Sequence, residues 1–226
     1  MSAEGAAVSL GATVVSAVFT GLVFSHWLAR RKPYQFAWSL GLGFYAVAAA
    51  TQFLAEAYGW TVFTYKVYYL VAAPLVALLG IGSTFLVHRR VGIGFTLYTA
   101  VIFAGFALAV AGAAVNQVAL AAAVPVAGNA LPADVRIFSP MFTIPGSAAL
   151  IGVAAFSYWR TRLAFNLWIG IGASIVAVGG SLARFDISSW ALYLGELLGI
   201  AVMFWGFLQS QDLARAEAPA AAKVPS

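Results

Sequence analysis

Seven apolar stretches, each on the order of 20 residues, alternate along the chain with short polar or basic breaks. An α-helix rises about 1.5 Å per residue, so each stretch reaches across a hydrocarbon layer of about 30 Å. The pattern predicts spanning helices over 8–28, 35–57, 62–87, 92–115, 141–159, 163–182 and 188–208. Arg30, Arg31, Lys32 and Pro33 end the first; His88, Arg89 and Arg90 end the third; Arg160 and Arg162 end the fifth. One connector is longer, from Asn116 to Pro140, with Pro125, Gly128, Asn129 and Pro132 as turn formers. It is mostly apolar and is expected either as a cap on the bundle or as an ordinary ordered loop. The expected architecture is all-α: one seven-helix transmembrane domain over 1–210, then an Ala- and Pro-rich tail over 211–226 that composition marks as disordered.

Composition agrees with a lipid environment. Hydrophobic residues make up 63% of the 226 and charged residues 8%, against about 25% charge in soluble domains. Seven spans leave no room for a second, soluble domain. The absence of cysteine removes disulfides, thiolate nucleophiles and Cys-ligated metals. Basic residues set the orientation. Arg30, Arg31, Lys32, Arg89, Arg90, Arg160, Arg162, Arg215 and Lys223 fall on one side, and Lys66, Arg136 and Arg184 on the other. Positive residues stay in the cytoplasm, so the amino terminus is expected outside and the carboxy terminus inside, in the cytoplasmic (inner) membrane of a bacterium. The net charge of +5 sits at helix ends and meets anionic headgroups rather than nucleic acid. The opening MSAEGAAV has no Lys or Arg, so the first helix is expected to persist as a span rather than be cleaved.

Small residues mark expected helix contacts, because close packing replaces hydrophobic drive inside lipid. They are Gly43 with Ala46 and Ala50, Gly80 with Thr84, Gly195 with Gly199, and Gly170, Ala173, Ala177 and Gly180 on the sixth helix.

Glu196, in YLGELLG, is the one Asp, Glu, Lys, Arg or His residue between Asp186 and Asp212. A carboxyl there must face the interior, find a partner or carry a proton. Tyr193 and Ile200 share its face, and the expected partners are Lys66, Tyr65, Tyr68 or Tyr69 of the third helix. These residues form the candidate ligand or proton site. Each also has a purely structural reading: a helix-tying hydrogen bond for Glu196, a headgroup-seeking Lys66, an interfacial tyrosine belt. Lys66 could alternatively pair with Glu56. His26 and His88 lie at similar depth, where a histidine pair could hold a haem, but each neighbours arginines and fits an interfacial position. Gln52 and Asn166 are expected as inter-helix hydrogen bonders, and Asp134, Arg136, Arg184 and Asp186 as a set of outer pairs.

The chain has no phosphate-binding loop, no H-E-x-x-H, no G-x-S-x-G and no cluster of His with carboxylates. Catalytic residues and metal ligands are therefore expected to be none, and an enzyme is disfavoured. In plan the chain resembles a microbial rhodopsin, but the last helix has no lysine for retinal: Lys32, Lys66 and Lys223 are the only lysines. YYLVAAPLVALLGIGSTFL (Tyr68 to Leu86), SPMFTIPGSAALIGVAAFSYWRTR (Ser139 to Arg162) and LYLGELLGIAVMFWGFL (Leu192 to Leu208) are similar to a group of uncharacterised bacterial multi-helix membrane proteins, a resemblance that implies no activity. The expected role is a non-enzymatic membrane protein that binds a non-covalent lipid or pigment, or serves as an accessory subunit with other membrane subunits or a homo-oligomer. The alternative is a small proton-coupled transporter or sensor centred on Glu196.

Overall fold

The computed structural model describes residues 3–122, 129–184 and 189–221, and they are helical with short turns and no strand. The helices are α1 Ala3–Arg30, α2 Pro33–Tyr58, α3 Val62–Ala72, α4 Leu75–Val87, α5 Arg89–Gly112, α6 Gln117–Ala122, α7 Ala133–Arg136, α8 Phe138–Thr161, α9 Ala164–Arg184 and α10 Ser189–Ala221. Among the described residues, six helical segments are long and apolar enough to cross a membrane: Glu4–Arg30, Pro33–Tyr58, Val62–Val87, Arg89–Gly112, Ala133–Thr161 and Leu192–Leu213. The stretch predicted over 163–182 is α9, whose described apolar part, Ala164–Gly179, is shorter.

Three features depart from the sequence pattern. The helix expected over 62–87 is broken at Ala73 and Pro74. Proline lacks an N–H and its ring collides with the carbonyl four residues back, so the ladder stops there. α8 begins at Phe138, before the expected start at 141, and carries Pro145 inside it. Pro145 deprives the Met141 carbonyl of its helical donor, and the Tyr98 hydroxyl of α5 donates to that oxygen at 2.9 Å. Finally, α10 continues to Ala221, through most of the tail expected to be disordered. Ala, Leu, Arg, Gln and Glu in QSQDLARAEA are strong helix formers, so the helix propagates beyond its apolar part. Residues 222–226 lie outside the described residues.

Six of the long helical pieces close into a ring. α1 packs on α2 and α10, α2 on α4, α4 on α8, α8 on α9, and α9 on α10. α5 lies outside this ring against α3, α4 and α8. The middle of the ring is filled by Phe19, Leu42, Leu79, Leu150, Ile200 and Phe207, one or more from each of five helices, with Ala173 from α9. Glycines allow the closest approaches. A Cβ at Gly172 would lie 2.6 Å from the Gly199 carbonyl oxygen, and one at Gly195 would lie 3.0 Å from the Gly179 Cα. Between α4 and α8, a Cβ at Gly80 would lie 2.8 Å from the Gly146 carbonyl. The expected contacts of Gly80, Gly195 and Gly199 are thus present. On α9 the face is different: Gly172, Val176 and Gly179 meet α10, while Gly170 faces Ala154 of α8 and Ala173 faces the core.

The connector is packed as a cap where it is described. Asn116 Oδ1 accepts from the Val118 and Ala119 amides and starts α6. Leu120, Ala130, Leu131 and Val135 are buried with Tyr65, Tyr69, Phe106 and Phe142 in a second apolar cluster. Pro125 and Gly128 lie outside the described residues.

Candidate functional site

A polar seam crosses the connector end of the bundle between α2 and α10. On α2, Tyr45, Gln52 and Glu56 recur at spacings of seven and four, which places them on one stripe. On α10, Tyr193 and Glu196 are three apart and share a face. The start of α3 is fixed by a capping box: Thr61 accepts from the Thr64 amide at 3.1 Å and the Thr64 hydroxyl accepts from the Thr61 amide at 3.0 Å. That start brings Tyr65 and Tyr68 inward within two turns, with the Trp60 ring 5.3 Å and 5.4 Å from theirs.

The hydrogen bonds run across the interior. Gln52 Nε2 donates to Glu196 Oε1 at 3.1 Å and lies 3.3 Å from the Tyr68 hydroxyl, which accepts from it. The Tyr45 hydroxyl donates to the Glu196 backbone carbonyl at 2.8 Å. The Tyr193 hydroxyl donates to Glu56 Oε1. Gln52 is fully buried, at 0% exposure. Glu196 is partly buried as a residue, but its Oε2 is shielded. Gln52 Oε1 and Glu196 Oε2 have no hydrogen-bond partner among the described residues.

The structure brings Glu196, Tyr193 and Tyr68 of the expected site together and leaves the others elsewhere. The direct side-chain partner of Glu196 is Gln52 of α2, and Tyr68 of α3 joins through it. Lys66 Nζ instead donates to the Ala111 carbonyl at 2.9 Å, where a cation satisfies the carboxyl end of α5. The Tyr65 hydroxyl accepts from the Ala130 amide at 3.2 Å and holds the connector down. Tyr69 packs on Phe106, with ring centroids 5.6 Å apart. Gln52, Glu56 and Tyr45 complete the seam. The signal for them was the common stripe on α2.

Other candidates are locally engaged. His88 Nδ1 caps α5 by accepting from the Arg90 amide at 3.2 Å, and the His26 ring lies 5.7 Å from that of Phe207. Asn166 Nδ2 donates to Thr161 Oγ1 across the α8–α9 turn at 3.3 Å. Arg136 Nη1 donates to Asn129 Oδ1 at 3.2 Å, and Asp134 Oδ1 accepts from the Val135 amide. Asp186 and the Arg184 side chain lie outside the described residues. Among the described residues no three His, Cys, Asp or Glu side chains converge as metal ligands.

An apolar groove of about 550 Å³ opens sideways on the bundle between α8 and α9. Ile151 and Ala155 line it from α8, Gly170, Ser174 and Val178 from α9, and Gly195 from α10, with Asn166 at one end. Ser174 Oγ donates to the Gly170 carbonyl of its own helix and so offers the groove little polarity. Compared with known protein families, with curated proteins and with solved structures, the chain finds no match.

Proposed function

We propose that the chain is a non-enzymatic, multi-pass protein of a bacterial cytoplasmic membrane that seats an amphipathic membrane molecule, with an acyl chain in the α8–α9 groove and an anionic headgroup at the Arg160–Arg162 turn. It crosses seven times with the amino terminus outside, and α9 is the sixth crossing. The observation that carries this reading is the groove. Its lining is apolar over most of its length, and it opens toward the lipid, so a ligand enters from the bilayer without crossing water. Its end at Asn166 adjoins Arg160 and Arg162, both exposed. A chain lying in the groove would bring its headgroup toward these cations, where each adds electrostatic attraction to anionic lipid.

Native mass spectrometry of protein extracted in mild detergent should show one retained anionic lipid per chain. Ala155→Phe fills the groove and should abolish retention while the protein still folds. Retention unchanged by Ala155→Phe would reject the groove as the seat. A co-purifying polypeptide in place of lipid would replace this reading by an accessory-subunit role.

A further inference from the structure

We propose that Gln52 and Glu196 form a proton-binding site, reached from the connector end of the bundle and closed toward the other end. Glu196 Oε2 carries the proton and donates it to Gln52 Oε1, while Gln52 Nε2 donates to Glu196 Oε1, completing an acid–amide ring. This stands independently of the groove and its ligand.

The orphaned atoms carry the argument. One bond of the ring is present, from Gln52 Nε2 to Glu196 Oε1 at 3.1 Å. The two polar atoms that remain on this pair, Gln52 Oε1 and Glu196 Oε2, are both shielded and both without a partner among the described residues. If the acid is ionised, both are acceptors, and two buried acceptors stay unsatisfied at a substantial cost. A single proton on Oε2 turns one of them into a donor and satisfies both.

The surrounding charges agree. α2 presents Tyr45 and Glu56 to this region, α3 presents Tyr65 and Tyr68, and α10 itself adds Tyr193. α1 and α9, packed along α10, carry no titratable side chain from 5 to 25 or from 164 to 179. Lys66, the cation nearest in sequence to these tyrosines, is engaged on the Ala111 carbonyl. The described neighbours are therefore acids or neutral groups. A buried carboxylate without a cation is costly enough that the group neutralises.

The two ends of the site differ. Toward the connector stands Glu56, partly exposed and hydrogen-bonded by Tyr193, one helical turn from Glu196. Toward the basic end stand Phe19, Leu42, Leu79, Ile200 and Phe207. The hydroxyls at that depth are turned back on their own helices: Ser39 to Phe36, Ser83 to Leu79 and Thr84 to Ile81. A proton that enters past Glu56 and Tyr193 thus reaches Glu196 and stops. Because α2 and α10 are not neighbours in the ring, this pair ties them across the interior. Loss of the proton sets two acceptors against each other and loosens that tie. The arrangement is that of a one-sided proton sensor rather than a conduit.

The test is infrared and solid-state NMR spectroscopy on unidirectionally oriented proteoliposomes with isotope-labelled glutamate; the chain has only Glu4, Glu56, Glu196 and Glu217. The wild type should show a protonated carboxylic-acid carbonyl at neutral pH. Glu196→Gln should remove that band, and Gln52→Leu should shift it to higher frequency, because the ring bonds are lost. The band should follow pH on the connector face only, and an imposed gradient should drive no Glu196-dependent proton flux. If Glu196→Gln does not fold, the wild-type NMR spectrum decides alone, by a contact between a protonated glutamate carboxyl and a glutamine side-chain amide. Absence of an acid band at every pH, a band that survives Glu196→Gln, a response to the opposite face, or Glu196-dependent flux would each overturn the proposal.

Discussion

Pro145 removes the amide that would satisfy the Met141 carbonyl, and the Tyr98 hydroxyl of α5 takes its place at 2.9 Å. Tyr98→Phe should therefore lower stability by about 1 kcal/mol, the usual net loss for one hydrogen bond. In a Pro145→Ala background the amide returns, and the same substitution should be nearly neutral; a double-mutant cycle by thermal denaturation in detergent measures the difference. Glu196 offers a second comparison. Glu196→Gln keeps the shape, and its amide donates to Gln52 Oε1 while its carbonyl accepts from Gln52 Nε2. Melting temperature and expression should stay close to wild type. Glu196→Leu strands the buried Gln52 and should cost roughly 1–3 kcal/mol; a Leu variant as stable as Gln would remove the structural role. That Glu196 would meet a polar partner inside the bundle was legible because it is the one acidic residue in YLGELLG. Gln52 was legible as an inter-helix hydrogen bonder, but its pairing with Glu196 was not, since the α2–α10 contact crosses the ring, where no spacing along the chain points to it.

Helix ends were easier to read than helix interiors. The basic clusters and Pro33 mark where α1, α4 and α8 stop, because charge cannot enter the hydrocarbon cheaply. Pro74 sits inside an apolar run that continues on both sides, so hydropathy passes over it while the backbone breaks. The continuation of α10 to Ala221 has the opposite cause: helix propensity persists after the apolar pattern ends. Which glycines face a neighbour also depends on helix rotation, which composition does not fix; hence the shift on α9 from Gly170, Ala173, Ala177 and Gly180 to Gly172, Val176 and Gly179. Gly146 gives a matched test. A Cβ there would lie 2.6 Å from the Ala77 amide nitrogen, while Gly152 on the same helix has nothing within 4 Å. Gly146→Ala should push α8 from α4 and cost about 1–3 kcal/mol by overpacking. Gly152→Ala should be neutral or slightly stabilising, because alanine favours the helix. Equal effects of the two on the melting temperature would mean that the α4–α8 contact does not limit stability.

The number of crossings turns on α9. Its described apolar part, Ala164–Gly179, is short for a span, but the helix runs 21 residues, about 30 Å at the usual rise, close to the thickness of the hydrocarbon core. Its contacts with α10 advance in opposite directions along the two helices: a Cβ at Gly206 would meet the Phe165 carbonyl at 2.9 Å, Gly172 approaches Gly199, and Gly179 approaches Gly195. A helix lying on the membrane surface would touch a crossing helix at one level only. α9 instead runs antiparallel beside α10 through much of its depth, and α8 flanks its other side. On the seven-crossing reading proposed above, α9 crosses with them and the carboxy terminus lies on the same side as Arg162. Reporter fusions after Lys32, Arg90, Arg162 and Lys223 should then all report the cytoplasm. With six crossings and α9 at the interface, the Lys223 fusion would report the opposite side from the Arg162 fusion, so that one pair of fusions decides between the two topologies.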